Sequence, residues 1–233
     1  MQSLLKVFLF SLIVGYSHGD FRKENNESRL KVNYSILVAY NVKPDSKNYN
    51  IDEFKSSTDS IPKKINEKQL ITLSITILKA LKGNDYAGLA RFVHPIIGIR
   101  FSPSGYIDLK NDQSLSKRKL LLLGKNQNKI KWLPNDETGK LRRLTIKDYF
   151  KKYVYDVDFI KAEKRSVNKI LGTQTTTLNN LADIYPACNF TEFHFSGFDP
   201  KSEGMDWRSL RLVFKNYKNK QYLIAIIHDE WDI

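Results

Sequence analysis

Three histidines follow residue 19, at His94, His194 and His228, and they are the side chains best suited to exchange a proton near neutral pH. Glu192 stands two positions before His194, so on an extended chain both side chains leave the same face. His228 closes an apolar run on the side of Ile226. On neighbouring strands, His194, His228 and Glu192 would converge as an acid–base pair or a two-histidine, one-carboxylate metal site. The helical His-x-x-x-His spacing of a zinc motif is absent. The plainer reading has each histidine hydrogen-bonded at a strand end, as buried polar groups usually are.

Arginines offer a second kind of chemistry. Arg100, Arg208 and Arg211 are candidates for holding an anion, and Arg100 and Arg211 lie inside apolar segments, where a charge needs a partner. Asp108, Glu192, Asp206 and Asp229 could supply it, so buried ion pairs compete with ligand recognition. Ser102 and Ser209 are possible members of a serine–histidine–aspartate set, yet neither sits in a Gly-x-Ser-x-Gly elbow. A phosphate loop, a dinucleotide fingerprint and a zinc ribbon are all missing, so no cofactor and no metal is expected. Arg100, Glu192, His194, Arg211 and His228 together define the expected pocket, a few polar groups on apolar walls formed by the last strands and the 92–106 segment. The arginines would orient an anionic or carbonyl-bearing ligand, and a histidine would titrate beside it. Trp207 and Trp231 stand near as mouth or core aromatics.

The elements that must position these groups begin at the C-terminal end. Residues 204–214 and 221–229 are two β-rich runs around the polar segment 215–220, which predicts a long hairpin. Its first arm alternates, with Leu210, Leu212 and Phe214 opposite Arg211, Val213 and Lys215. Its second arm is apolar on both faces, Tyr222, Ile224 and Ile226 against Leu223, Ala225 and Ile227, and therefore belongs in the middle of a sheet. Upstream, Asn66 and Gln69 predict a capped helix that Gly83 ends, and Asp85 starts a shorter helix that stops before His94-Pro95. A strand follows from Ile97, then a turn at Pro103 and Gly105, a helix over 114–123, a brief strand over 129–133 and a helix over 145–153 capped by Thr145. A strand is expected over 166–171, a helical turn over 178–184 and a strand over 190–195. Helices early and strands late define an α+β class with a mostly antiparallel sheet.

The stretch Tyr86-Ala87-Gly88-Leu89-Ala90-Arg91-Phe92-Val93-His94-Pro95, with Gly98-Ile99-Arg100-Phe101-Ser102-Pro103 after it, resembles exported bacterial domains of unassigned function. Asp148 to Tyr153, Glu192 to Phe195, Gly204 to Arg211 and Ile227 to Trp231 continue that likeness over roughly residues 66–233. Helices followed by a curved sheet are also similar to the nuclear-transport-factor-2-like (SnoaL-like) cone. That class includes isomerases, dehydratases and noncatalytic binders, so the resemblance implies a cone-like fold without choosing a function.

Ahead of this domain, Lys6, the apolar run 7–15 and Ser17-His18-Gly19 read as a cleaved export signal over 1–19. The run is too short for a stable transmembrane anchor. Residues 20–65 are polar apart from the island 32–40 and read as an arm or linker before a single domain over 66–233. An exported protein, periplasmic or extracellular, is the expectation. Cys188 is the lone cysteine, excluding an internal disulfide, and reads as a structural thiol rather than a nucleophile. The net charge of +13 invites an anionic partner, but the lysines are scattered beyond Lys117-Arg118-Lys119 and no stacking aromatics interleave them. Nucleic acid is disfavoured, and nothing signals an oligomeric state. Three functions compete: noncatalytic binding of a small ligand, peptide or envelope component in a sheet-lined pocket; a small cofactor-free hydrolase or lyase with His194 or His228 as general base; and polyanion binding. The first is the reading preferred from the sequence.

Overall fold

The structure is a computed structural model and describes residues 66–132, 143–172 and 179–231. The expected export signal and polar arm, residues 1–65, lie outside the described residues. Helix α1 (Glu67–Lys82) starts where Asn66 accepts from the Gln69 N–H at 3.2 Å and buries Leu70, Ile77, Leu78 and Leu81. Gly83 caps its end as expected, its N–H donating to the Lys79 carbonyl at 3.0 Å, although not in the left-handed form usual for glycine there. Gly83 stays right-handed, and Asn84 takes the left-handed turn at φ +52°, which an asparagine tolerates better than most residues. Asp85 caps α2 (Tyr86–Ala90) by accepting from the Gly88 N–H at 2.8 Å. The predicted 114–123 helix sits a few residues later, because Gln113–Leu115 pairs as strand β2 with β1 (Ile99–Ser102), leaving α3 as Lys117–Asn126.

Strands β3 (Ile130–Lys131) and β4 (Arg143–Leu144) form a separate two-stranded sheet. Thr145 then caps α4 (Ile146–Tyr153), as its side-chain oxygen predicts. After β5 (Lys164–Val167) and the short α5 (Leu181–Ile184), the chain enters β6 (Asn189–Phe195), β7 (Arg208–Tyr217) and β8 (Lys220–Glu230). The main sheet has the order β2-β1-β8-β7-β6-β5, antiparallel throughout except between β1 and β8. The class is α+β, and β8 is central as its two apolar faces require.

The hairpin turn is tighter than the polar segment implies. Lys218 and Asn219 both have positive φ, 49° and 59°, matching the two-residue turn whose twist suits paired strands, so pairing runs from Arg208↔Glu230 to Tyr217↔Lys220. A register shift between Val213 and Phe214 leaves Ile224 without an opposite residue. This bulge breaks the simple alternation expected for the second arm. Leu223 and Ile226 join the core beneath the helices, while Ile224, Ala225 and Ile227 face the other way.

The helix-side core packs Leu78, Leu81, Leu120, Phe150 and Phe159 onto Phe101, Phe193, Leu210, Leu212 and Phe214. Each such burial contributes roughly 1.5–3 kcal/mol before ordering entropy is subtracted. Ser74 on α1 and Thr191 on β6 share a 2.8 Å hydroxyl hydrogen bond across that interface. On the opposite face a smaller core joins Phe190, Val213, Ala225 and Ile227 to Ile107, Leu181 and Tyr185. No helix of the described residues is long and apolar enough to cross a membrane.

Candidate functional site

The second face of the sheet carries most of the polar groups that the sequence singled out. Glu192 on β6 is directly opposite Arg211 on β7, His194 is opposite Ser209, and Ser209 is opposite Asp229 on β8. Period-two alternation therefore puts Glu192, His194, Ser209, Arg211 and Asp229 on one surface. The Arg211 side chain is 0 % exposed. Its Nε lies 3.1 Å from Glu192 Oε2 and its Nη1 lies 2.8 Å from Asp229 Oδ2, close ion pairs outside hydrogen-bond alignment. Nη2 donates to the Gly172 carbonyl at 2.9 Å and to Glu192 Oε1 at 3.2 Å. Glu192 also accepts from the Leu171 and Gly172 N–H groups, each at 2.9 Å. Burial raises the Asp229 carboxyl pKa, against the opposing pull of Arg211.

Two glycines pack closely against this cluster. A Cβ on Gly172 would meet Ser209 Oγ at 2.5 Å and the Trp207 ring at 2.6 Å, and one on Gly105 would meet both Asp229 oxygens at 2.6 Å. Ser209 Oγ and His194 Nδ1 are 2.8 Å apart, a nucleophile–base distance, and Ser209 is fully buried. Burial lowers the His194 pKa. Trp207 is a core aromatic, its ring centroid 5.8 Å from that of His194.

Arg100 lies on the same face, two strands from Arg211, paired in register with Ala225. Its neighbour is Asp112, which is not among the four acids the sequence offered as partners. Nη1 donates to the Leu109 and Asp112 carbonyls at 3.4 Å each, and the charge of Arg100 acts on the Asp112 carboxyl. Ser102 Oγ donates a short hydrogen bond to Asp112, which also accepts from the Asp108 N–H at 3.0 Å. Burial raises the Asp112 pKa to about 6 despite these hydrogen bonds.

His228 does not join this group. Strand β7 separates β6 from β8, and His228 points to the helix side, where Nε2 is 2.9 Å from Asp156 Oδ1. The convergence of His194, His228 and Glu192 is therefore not formed, because the intervening strand and the two-residue pleat put them on opposite faces. Asp156, His228 and Glu230 present ligand atoms within 4.8 Å of one another. Arg208 already supplies the cation there, its Nε 3.0 Å from Asp156 Oδ2 and 3.0 Å from Glu230 Oε2. Burial works to raise the Asp156 pKa, but the His228 hydrogen bond and Arg208 outweigh it and hold the carboxyl below its ordinary value. His94 accepts from the Ile96 and Ile97 N–H groups through Nδ1, at 3.2 and 3.1 Å, and packs against Tyr217 and Tyr222.

Sequence reasoning missed a cleft of about 200 Å³ on the helix side, lined by Leu81, Lys82, Asn84, Lys147, Phe150, Lys151 and Tyr155. Lys147, Phe150 and Lys151 stand at i, i+3 and i+4 on α4 and so share one helix face. Lys82 Nζ is 2.7 Å from Asp158 Oδ2, and Tyr155 donates to Asp158 Oδ1 at 2.8 Å, so one carboxylate orients a cation and a phenol of the cleft. The Lys82 hydrogen bond leads in lowering the Asp158 pKa. The signal available in the sequence was the Lys-x-x-Phe-Lys spacing behind the Thr145 cap.

No family model matches the chain, and no curated protein matches it. A solved structure from Xanthomonas campestris, described as a calcium/calmodulin dependent protein kinase II association domain, aligns with a TM-score of 0.31 at 11% identity. It covers 73% of this chain and 91% of that one. At that score the likeness carries no inference about function.

Proposed function

We propose that the chain is a noncatalytic binding domain that takes a small anion-bearing ligand in the cleft between α1 and α4. One observation carries this reading: Lys147 and Lys151, with Lys82 already engaged by Asp158, line a cleft together with Leu81, Phe150 and Tyr155. Apolar walls with a few convergent charged groups are the usual makings of a ligand site. The partial negative charge at the C-terminal end of α1 opposes an anion, and Lys82 in the last turn offsets it. A volume of about 200 Å³ is below the roughly 300–1,000 Å³ of drug-sized sites, so the ligand is small: inorganic phosphate or a benzoate-sized carboxylate. Partly exposed lysine contacts contribute about 0.2–1 kcal/mol each, which puts binding in the weak range unless the aromatic floor is filled.

On this reading the sheet residues are scaffold: Arg211 and Glu192 satisfy each other, and His228 and His94 are hydrogen-bonded internally. The cone-like, nuclear-transport-factor-2-like shape belongs to the same proposal and is supported by a helix layer on one face of a six-stranded sheet. Export rests on the sequence of residues 1–19. The test is NMR titration with phosphate and with benzoate. Amide shifts should concentrate at Lys82, Lys147, Phe150, Lys151 and Tyr155 and vanish in Lys147→Glu/Lys151→Glu. Shifts scattered over all exposed lysines would end the proposal.

A second reading has one observation behind it, the 2.8 Å contact of His194 Nδ1 with Ser209 Oγ, which would serve a hydrolase with Ser209 as nucleophile. A fluorophosphonate probe should then label the protein and fail on Ser209→Ala. Absence of labelling in the parent protein would remove it.

A further inference from the structure

Helix α3 reads Lys117-Arg118-Lys119-Leu120-Leu121-Leu122-Leu123-Gly124-Lys125-Asn126, and its packing splits the four leucines. Leu120 and Leu123 are buried in the helix-side core. Gly124 meets Tyr86 so closely that a Cβ there would lie 2.6 Å from the ring, which seats the inner side of the helix firmly on the domain. Leu121 and Leu122 instead point outward, 40% and 47% exposed. At 100° per residue, Lys117, Leu121 and Lys125 form one ridge, and Arg118 and Leu122 form the next. The outer face is thus two adjacent leucines ringed by Lys117, Arg118 and Lys125, all exposed.

No acidic residue occurs from Gln113 through Asn135, while Lys117, Arg118, Lys119, Lys125, Lys129 and Lys131 do. Leu121 and Leu122 are also the one sequence-adjacent pair among the exposed large apolar side chains of the described residues; Tyr106, Phe198 and Met205 stand apart. The loop holding Phe198 and Met205 carries Asp199, Glu203 and Asp206, a composition unsuited to an anionic partner. The α3 face combines the two features that interfacial helices use, apolar side chains in the middle and lysine or arginine stems that can extend to headgroups around them.

We infer that the outer face of α3 docks on an anionic lipid surface, with Leu121 and Leu122 at headgroup depth and Lys117, Arg118 and Lys125 on lipid phosphates. The face is a single convex helix rather than a groove, which fits a planar surface better than an extended acidic peptide. The helix keeps its inner contacts, so docking requires no unfolding. This surface is separate from the α1–α4 cleft, and neither proposal depends on the other.

The experiment is flotation of the full chain with phosphatidylcholine vesicles and with vesicles containing about 30 mol % phosphatidylglycerol, since anionic headgroups attract each nearby lysine measurably. The apolar run at residues 7–15 is common to all variants, so every comparison is made within one chain. Expected results are a partition at least about tenfold higher onto the anionic vesicles, and a fall of at least about tenfold in Lys117→Glu/Lys125→Glu. Leu121→Ser/Leu122→Ser should fall several-fold and lose the binding that survives high salt. A Lys201→Glu/Lys220→Glu control, far from α3 in sequence and also exposed, should bind as the parent does. Thermal unfolding of each variant confirms that the fold is kept. Equal partition onto both vesicles, an undiminished leucine variant, or an equal fall in the control would overturn the inference. So would α3-dependent capture of a poly-glutamate peptide with no preference for anionic vesicles, since an acidic polypeptide would then be the partner.

Discussion

Arg211 on β7 and Glu192 on β6 are directly opposed in register, and their side chains meet at 3.1 Å with both 0 % exposed. With Asp229 2.8 Å away, one guanidinium sits between two buried carboxylates and also holds the Gly172 carbonyl. Removing a single partner from such a group strands the rest, which costs about 3–5 kcal/mol. Arg211→Ala should lose stability by that amount in urea unfolding. Replacing the group together, as Arg211→Met with Glu192→Leu and Asp229→Leu, should recover only part of it: no uncompensated charge remains, but the Leu171 and Gly172 N–H groups and the Gly172 carbonyl lose their partners. A loss below about 1 kcal/mol in Arg211→Ala would show that the site is open to water.

The sequence reading located the elements better than their faces. Helix starts at Asn66, Asp85 and Thr145 fall where expected, each side chain accepting a backbone N–H, because capping is a local matter of three or four residues; the Ser116 cap was not anticipated, since Gln113–Leu115 pairs as a strand. The class followed from the order of elements, helices early and strands late, and the central place of β8 from its apolar faces. Faces failed where one residue of slip matters: the bulge opposite Val213 and Phe214 reversed part of β8, and the placement of β7 between β6 and β8 kept His194 from His228. Of the four acids offered as partners for Arg100 and Arg211, Glu192 and Asp229 meet Arg211, while Asp108 caps its own turn by accepting from the Lys110 and Asn111 N–H groups and Asp112, not among the four, lies by Arg100. The lysine cleft was out of reach because it needs α1 and α4 brought together, and only packing specifies that.

Asp112 should make the fold less stable as pH rises from acid towards neutral. Its folded pKa, about 6, exceeds the ordinary 3.8, so the native state favours the protonated form. That contribution is fully present below pH 3.8 and is lost as pH rises through about 6, at most about 3 kcal/mol and less after solvent screening. Asp112→Asn keeps an acceptor for Ser102 and for the Asp108 N–H but cannot ionise. It should be more stable than the parent by about 1–2 kcal/mol at pH 8 and equal to it near pH 4, as read from urea midpoints. A less stable variant at pH 8 would mean that the ionised carboxylate supports Arg100.

His94 should act in the opposite direction. It is 2% exposed, and burial, with Lys215 adding repulsion, lowers its pKa from 6.5 to about 4. The fold therefore favours neutral imidazole; this stability is present above pH 6.5 and is lost as pH falls through about 4, amounting to roughly 3 kcal/mol. An imidazole NMR titration should place the His94 midpoint below pH 5. A midpoint near 6.5 would show that the ring is not held by the Ile96 and Ile97 amides.

Cys188 should be a slow thiol. Burial raises its pKa to about 11, so the reactive thiolate is scarce at pH 8. Reaction with a disulfide reagent should be roughly 100-fold slower than for a free cysteine, and unfolding in urea should restore the ordinary rate. Fast modification of the native protein would place Cys188 in an accessible, activated setting.

Ile226 tests the centre of the sheet. It pairs with Leu212 on one side and Phe101 on the other, is 1% exposed, and faces the helix-side core. Ile226→Val removes one methylene and should cost about 0.5–1.5 kcal/mol. Ile226→Asp instead places a carboxylate among Phe101, Leu210, Leu212 and Leu223, where it must either remain protonated or be buried as an unpaired charge. The nearest polar side chain along β8 on that face, His228, is already bonded to Asp156. The loss of apolar burial and the desolvation of the acid together reach several kcal/mol, comparable with the whole stability of a domain of this size. The expected result is a protein without a cooperative unfolding transition, measured by circular dichroism against the valine variant. A soluble Ile226→Asp protein with the parent's melting temperature would show that β8 is not the strand on which the sheet depends.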